Sequence, residues 1–407
     1  MGVRRSSLII FCDKDDQEIL QAKQNLYKQD SEGNWTMDVS ISNRTLSNNT
    51  VIYTEKPSME ELQKHFELIR ASGEPGLLHH AEMQRRNPHA KGTNPCGEIL
   101  LDDRQTCNLT EINMSAFVRE DGSVDMERML HAQRLSAKIG YRMATIELEL
   151  HEWDKAGKKD MLTGCSLSGM ADFLNKTQMS NDDFAAVLRK LRKVAREEVD
   201  EMAEKLKMGK TLLVTAIKPS GSLSLLPGIS AGIHFQHSDY YIRRVRVNEA
   251  DPLSRAMTEM GFASVPENGQ TEENCSTRVF AFPMKSPKGA TKFDVGAIRQ
   301  LELYKLVMEN YVDHNASNTI SVSPEEWDET TQWVYDNWDS VVGMTFLELQ
   351  DEFYQLAPFE KITKEKYESM LATTPKFVAA TANSMEDFSD LLAADIEECS
   401  GGYCPVR

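Results

Sequence analysis

Residues 211–217 (TLLVTAI) form an uninterrupted apolar and β-branched run without a charge. The run is long enough for a strand and too short for an ordinary helix. Apolarity on both faces suits a strand covered on both sides, as in a parallel sheet flanked by helices. Residues 319–323 repeat the idea, and Ser323, Pro324 and Glu326 read as a helix start with cap, first-turn proline and capping acid. Ser58 with Glu61 is a capping box opening another helix. The spacing predicts amphipathic helices over 126–150 and 182–208, the second with Leu188, Leu191, Val194, Ala195, Val199 and Met202 on one side. Residues 8–11 read as a strand. An α/β chain is therefore expected. By contrast, residues 79–113 are broken by Pro88, Pro95 and Gly97 and read as a long loop, which inside a compact domain is usually functional.

Charge and cysteine usage narrow the function. The chain's 46 basic and 63 acidic residues give a net charge of −17, which excludes a protein whose main work is coating nucleic acid. Any anion site must be built locally. Seven cysteines in 407 residues, irregularly spaced, do not make a disulfide framework, so a reducing, cytoplasmic setting is expected and paired thiols are expected to be working ones. No apolar run approaches the roughly 18 to 20 residues of a membrane helix, and residues 1–16 lack a cleavable-leader pattern.

The first candidate site is Asn94-Pro95-Cys96-Gly97-Glu98, with Cys107 eleven residues after Cys96. A thiol between an amide and a carboxylate works as a nucleophile or a hydrogen-atom donor, with Glu98 as base and Asn94 as a neutral anchor. The alternative is a buried free cysteine in a Pro-Gly turn. The second is Lys218-Pro219-Ser220-Gly221-Ser222, where a strand runs through a small, hydroxyl-rich turn into an expected helix start. Such a place suits phosphate, and it is also an ordinary turn. Lys218 either adds charge there or faces solvent. The third is Cys399 and Cys404, spaced by Ser-Gly-Gly-Tyr, which suits a disulfide on a mobile tail. Half of a zinc site is the rival, but no second ligand pair follows. His79, His80, His234 and His237 are scattered, and no metal ligand is assigned. Tyr240 to Arg244 contact a nucleotide or a cofactor, or make packing and salt bridges; Cys12, Cys165 and Cys275 read as ordinary thiols.

Several segments together resemble the adenosylcobalamin-dependent ribonucleotide reductases of the ribonucleoside-triphosphate type: GVRRSSLI, NPCGEI, CNLTEIN, LTGCSLSGMADFL, IKPSGSLSLLPGISAGIH, YYIRRVR and the terminal C-x4-C, in the family's order. The eleven-residue interval between the loop cysteines is similar to the cobalamin-dependent members; iron-dependent large subunits have a longer one. The resemblance implies that Cys96 carries a transient thiyl radical, that Asn94 and Glu98 bind and activate the ribose hydroxyls, and that Cys107 is half of a reducing pair. It implies that Ser220, Gly221 and Ser222 bind substrate phosphates, and that Cys399 and Cys404 re-reduce the active site and are recharged by thioredoxin or a similar dithiol protein.

The implied fold is a ten-stranded α/β barrel of two parallel half-barrels with a central finger loop, this chain covering part of the first half and all of the second. Residues 1–382 would be the catalytic barrel portion with the radical loop near 93–108, and 383–407 a flexible redox-active tail. The implied activity is reduction of ribonucleoside triphosphates to deoxyribonucleotides with adenosylcobalamin as cofactor. Because the family carries the partner of Cys107 before the GVRRS segment, the resemblance leads us to expect an N-terminal half on a separate chain. The alternatives are an iron-dependent large subunit and a non-catalytic interaction half.

Overall fold

The computed structural model describes residues 8–29, 35–349 and 355–379. Among these the chain forms two compact units, one of residues 8–28, 37–239 and 286–349, the other of 29, 35–36, 240–285 and 355–379. Cys399 and Cys404 lie outside the described residues, as does the whole of 383–407.

The larger unit is built on parallel strands. Leu8–Cys12, Ser47–Tyr53 and Gly76–His79 lie side by side in parallel, with Leu8 opposite Ser47 and Thr50 opposite Gly76, and Gly343–Met344 adds an antiparallel edge. Leu109–Asn113 pairs in parallel with Gly164–Ser168, and Ile320–Val322 with Phe346–Glu348. The expected strand at 211–217 is buried apart from the exposed Leu212, with Val214, Ala216 and Ile217 fully inaccessible. It makes only single parallel bridges, Cys165 to Thr215 and Ile217 to Ala316. The reason is local: the Val214 N–H, which a neighbouring strand would take, donates to the Asp313 carboxylate at 3.0 Å. Among the described residues the strands form sheets of two and four and do not close into a barrel.

Helices cover these strands. The capping box at Ser58 and Glu61 forms in both directions and opens helix Met59–Ser72. The long helix predicted over 126–150 ends at Ala144, and a second begins at His151; between them Asp154 Oδ1 accepts the Leu148 N–H at 3.0 Å and draws the chain back. Helix Asn181–Leu206 buries Leu188, Leu191, Ala195 and Val199, and Ala195 and Val199 share a core with Ala137 and Tyr141 of helix Met126–Ala144. A Leu191→Ala change there would cost about 2–5 kcal/mol.

Two local expectations need correction. Helix Trp327–Asp336 starts three residues later than expected, with Glu326 at its N-cap position; Glu326 Oε2 accepts the Ser323 N–H at 3.1 Å, as a capping acid would, and Oε1 accepts the Ala297 N–H at 3.0 Å. The presumed loop 79–113 contains helix His80–Arg86, the short hairpin Gly92–Thr93 with Leu100–Leu101, and strand Leu109–Asn113. Its prolines sit between these elements, where they break none of them.

The smaller unit is an antiparallel sheet in the order Ser264–Pro266, Thr277–Lys285, Tyr240–Asn248 and Phe359–Lys361. Its core gathers Met257, Phe262 and Phe280. Here the Tyr240 to Arg244 cluster makes packing and ion pairs: Arg244 pairs with Glu360, and the Arg243 guanidinium lies 4.6 Å from the centre of the Phe359 ring.

Candidate active site

The thiol loop is the turn of a hairpin. Lys91 N–H donates to Leu101 O at 2.8 Å at its base, and Gly97 N–H returns to Asn94 O at 2.9 Å, so Pro95 and Cys96 are the central residues of a tight turn. Proline supplies the fixed φ that such a turn wants at its second position. Gly97 then reverses the chain with φ +79°, a conformation that glycine reaches without strain. Asn94 Oδ1 accepts the Ile99 N–H at 2.9 Å and closes the loop from inside.

This geometry holds Cys96 half-buried on a small open cleft whose other walls include Phe11, Asn48, Thr50, Asn318 and Met344. The thiol is not sealed in packed hydrocarbon. Two residues on, Glu98 is 1% exposed, and its Oε2 has no hydrogen-bond partner among the described residues. Burial pushes this carboxyl up to about 7, against the opposing effects of the Asn94 amide and the Lys218 ammonium. A carboxyl poised near neutrality, with one oxygen unengaged, is equipped to take and return a proton. Burial also pushes the Cys107 thiol well up, and the charges of Glu98 and Cys96 add to the effect. Cys107 is thus kept as a protonated thiol rather than a nucleophilic thiolate. Lys218 acts electrostatically on both Glu98 and Cys107, which brings the first two candidate motifs into one neighbourhood.

The 218–222 turn differs from its expected form. No helix of ordinary length follows it: Leu223–Leu225 is a single 3₁₀ turn. Pro227 and Gly228 follow at once and prevent continuation. The turn is therefore not backed by the dipole of a helix. Ser220 is buried with φ +48°, its hydroxyl donates to Glu111 Oε1, and Lys218 Nζ stands 3.3 Å from Glu111 Oε2. Gly221 is half-buried and Ser222 exposed.

Glu111 was not singled out from the sequence, although its place in CNLTEIN, four residues after Cys107, was the available signal. Nor were Asn48, Asn315 and Ser317, whose side chains reach the thiol loop. The histidines have structural partners: Thr319 N–H donates to His234 Nε2 at 3.0 Å, and the His237 ring packs edge-on to Phe293. Among the described residues no cluster of three His, Cys, Asp or Glu is arranged to hold a metal ion, and no helix is long and apolar enough to cross a membrane. Cys12 and Cys165 are buried, and Cys275 is half-buried.

Comparison with known proteins bears on this geometry. Residues 23–205 match the family model described as ribonucleotide reductase, barrel domain. The whole chain aligns with the adenosylcobalamin-dependent ribonucleoside-triphosphate reductases of Lactobacillus gasseri, at 24% identity, and Lactobacillus leichmannii, at 25%, covering 57% of each. The chain thus spans little more than half the length of these curated relatives. Among solved structures, a B12-dependent (class II) ribonucleotide reductase superposes with a TM-score of 0.74 at 22% identity, over 93% of this chain and 55% of that one. A class Id ribonucleotide reductase alpha subunit from Actinobacillus ureae superposes with a TM-score of 0.55 at 12% identity, over 84% of this chain and 70% of that one. The chain is thus similar to ribonucleotide reductases and has an α/β fold of their type.

Proposed function

We propose that this chain is the catalytic portion of an adenosylcobalamin-dependent reductase that converts ribonucleoside triphosphates to 2′-deoxyribonucleotides. The observation that carries the reading is Cys96 at the tip of a tight turn, two residues from a buried carboxyl pushed up to about 7 and electrostatically coupled to the Cys107 thiol. The names of the relatives support the substrate and cofactor classes.

In this reading Cys96, as a thiyl radical, takes the hydrogen atom from the ribose C3′ and returns it at the end. Sulfur suits the exchange because an S–H bond is close enough in strength to the ribose C–H bond for the hydrogen to pass in both directions. Glu98 takes the 3′-hydroxyl proton as the 2′-hydroxyl leaves as water, and Asn94 orients the sugar. Cys107 and a second thiol supply two electrons and two protons and become a disulfide. Ser220, Gly221 and Ser222, with Lys218, receive the phosphates. Adenosylcobalamin, when bound, supplies the radical chemistry through its weak cobalt–carbon bond.

The reading extends to the rest of the assembly. The parallel-stranded larger unit belongs to a ten-stranded barrel, and Cys399 and Cys404 of the tail at 383–407 pass electrons from thioredoxin or a similar dithiol. An N-terminal half on a separate chain supplies the second thiol and further strands. In support of an added strand, Leu8–Cys12 is an outer strand of its parallel sheet among the described residues, and Leu8 is exposed.

The test is co-expression with the neighbouring open reading frame, followed by assay of deoxynucleotide formation with adenosylcobalamin, a ribonucleoside triphosphate and a dithiol. Product that depends on the cofactor and is lost in Cys96→Ser supports the reading. Absence of product from both the assembled and the isolated chain overturns it. Cys399→Ser is expected to spare a single turnover and to stop multiple turnover driven by a protein reductant.

A further inference from the structure

The thiol loop has an unusual set of tethers. Three successive carbonyls each accept a hydrogen bond from a side chain remote in sequence: Pro95 O from Asn48 Nδ2 at 2.8 Å, Cys96 O from Ser317 Oγ at 2.7 Å, and Gly97 O from Asn315 Nδ2 at 2.8 Å. The next carbonyl, of Glu98, takes the Asn315 N–H at 3.1 Å, and the Leu100 N–H goes to His314 Nδ1 at 3.1 Å. All three side-chain donors are buried, Asn315 to 1% exposure. They are themselves held: Asn48 belongs to strand Ser47–Tyr53, Asn315 Oδ1 accepts the Tyr304 hydroxyl at 2.9 Å, and Ser317 N–H donates to Ile217 O at 2.9 Å.

Exposed turns ordinarily leave such carbonyls to water. Here polar side chains are buried in order to engage them, and burial of an amide or hydroxyl is favourable only when its hydrogen bonds are made. Glycine at 97 gives the turn no side chain to wedge it, since nothing lies within 4 Å of the place a Cβ would take. The backbone on either side of Cys96, and with it the point from which its side chain leaves, is thus held by the tethers.

We infer that Asn48, Ser317 and Asn315 are positioning residues that clamp the carbonyls on either side of Cys96 and so aim its sulfur for hydrogen-atom exchange. The aiming role rests on the proposed reductase reading; the clamp itself does not. Transfer of an atom between bound partners is steep in distance, and a misplacement of about 1 Å can cost on the order of a hundredfold.

The experiment uses the full chain, with the co-expressed half where turnover requires it. The variants are Ser317→Ala, Ser317→Thr as the hydroxyl-retaining control, and Asn48→Ala on the separate strand should Ser317→Ala fail to fold. Two readouts are taken: the rate of Cys96 alkylation by iodoacetamide, resolved by peptide mass spectrometry, and kcat and KM for nucleotide reduction. The expected result is faster Cys96 alkylation and a kcat lowered by about tenfold or more at nearly constant KM, both restored by Ser317→Thr. Faster alkylation in a chain whose unaltered form gives no reduction supports the clamp and overturns the reductase reading instead. Unchanged alkylation and unchanged kcat in Ser317→Ala and Asn48→Ala overturn the clamp.

Discussion

The hydroxyl of Ser220 donates to the carboxylate of Glu111, so the turn proposed to receive phosphates already holds an acid. Lys218, its nearest cation, stands 3.3 Å from the same carboxylate. An incoming phosphate must draw both donors away and sit beside the acid. At an effective dielectric near 20, removing one negative charge about 5–8 Å from an anion is worth about 2–3 kcal/mol. Glu111→Gln is therefore expected to tighten binding of a ribonucleoside triphosphate by roughly thirtyfold or more, measured by calorimetric titration. Weaker binding would show that Glu111 serves instead to hold Ser220 in its left-handed conformation.

Glu98 predicts two pH dependences. Its folded value of about 7 lies above the ordinary 4.5, so the native state holds a proton that the unfolded chain has released. Stability is then expected to fall as pH rises from about 4.5 to 7, by roughly 3 kcal/mol at most. In Glu98→Gln that part of the slope disappears, as denaturant titrations across the range would show. Activity moves the other way: as a base Glu98 acts once ionised, so kcat is expected to climb through about pH 7 in the native enzyme. An ascending limb that persists in Glu98→Gln would remove Glu98 from that role.

Cys96→Ser separates chemistry from folding. The side chain lies half-buried on a cleft, so loss of sulfur is expected to change stability by no more than about 0.5 kcal/mol. Turnover should vanish, along with exchange of solvent hydrogen into the cofactor, because an O–H bond is too strong to enter the reversible exchange. Residual exchange above background, read by isotope incorporation, would place the radical on another residue.

Gly97→Ala tests the turn itself. There is room for the methyl group, so no clash contributes, and the cost is the left-handed φ of +79°, about 1–2 kcal/mol. Because the loop is tethered on both sides, the strain is expected to surface as a lower kcat together with a lower thermal transition. A variant as stable and as active as the parent would show that the loop adopts another turn without penalty.

Much of this molecule was written locally. The capping box at Ser58 and Glu61 and the apolar stripe from Leu188 to Met202 depend on neighbours three or four residues away, and both formed as their spacing demands. The thiol, amide and carboxyl of the 94–98 turn are likewise a matter of adjacency. The buried run at 211–217 was legible too, but its partners were not: a carboxylate at Asp313 took a hydrogen bond that a strand would have used. Only the tertiary fold brought Asn48, Asn315 and Ser317 to the thiol loop and Glu111 to Ser220. Ser317 is 221 residues from Cys96 and Glu111 is 109 from Ser220. Periodicity reports which face of an element is apolar, and it is silent on which distant polar group will satisfy a buried carbonyl. That pairing is settled by the cost of leaving either group unbonded once the strands have packed.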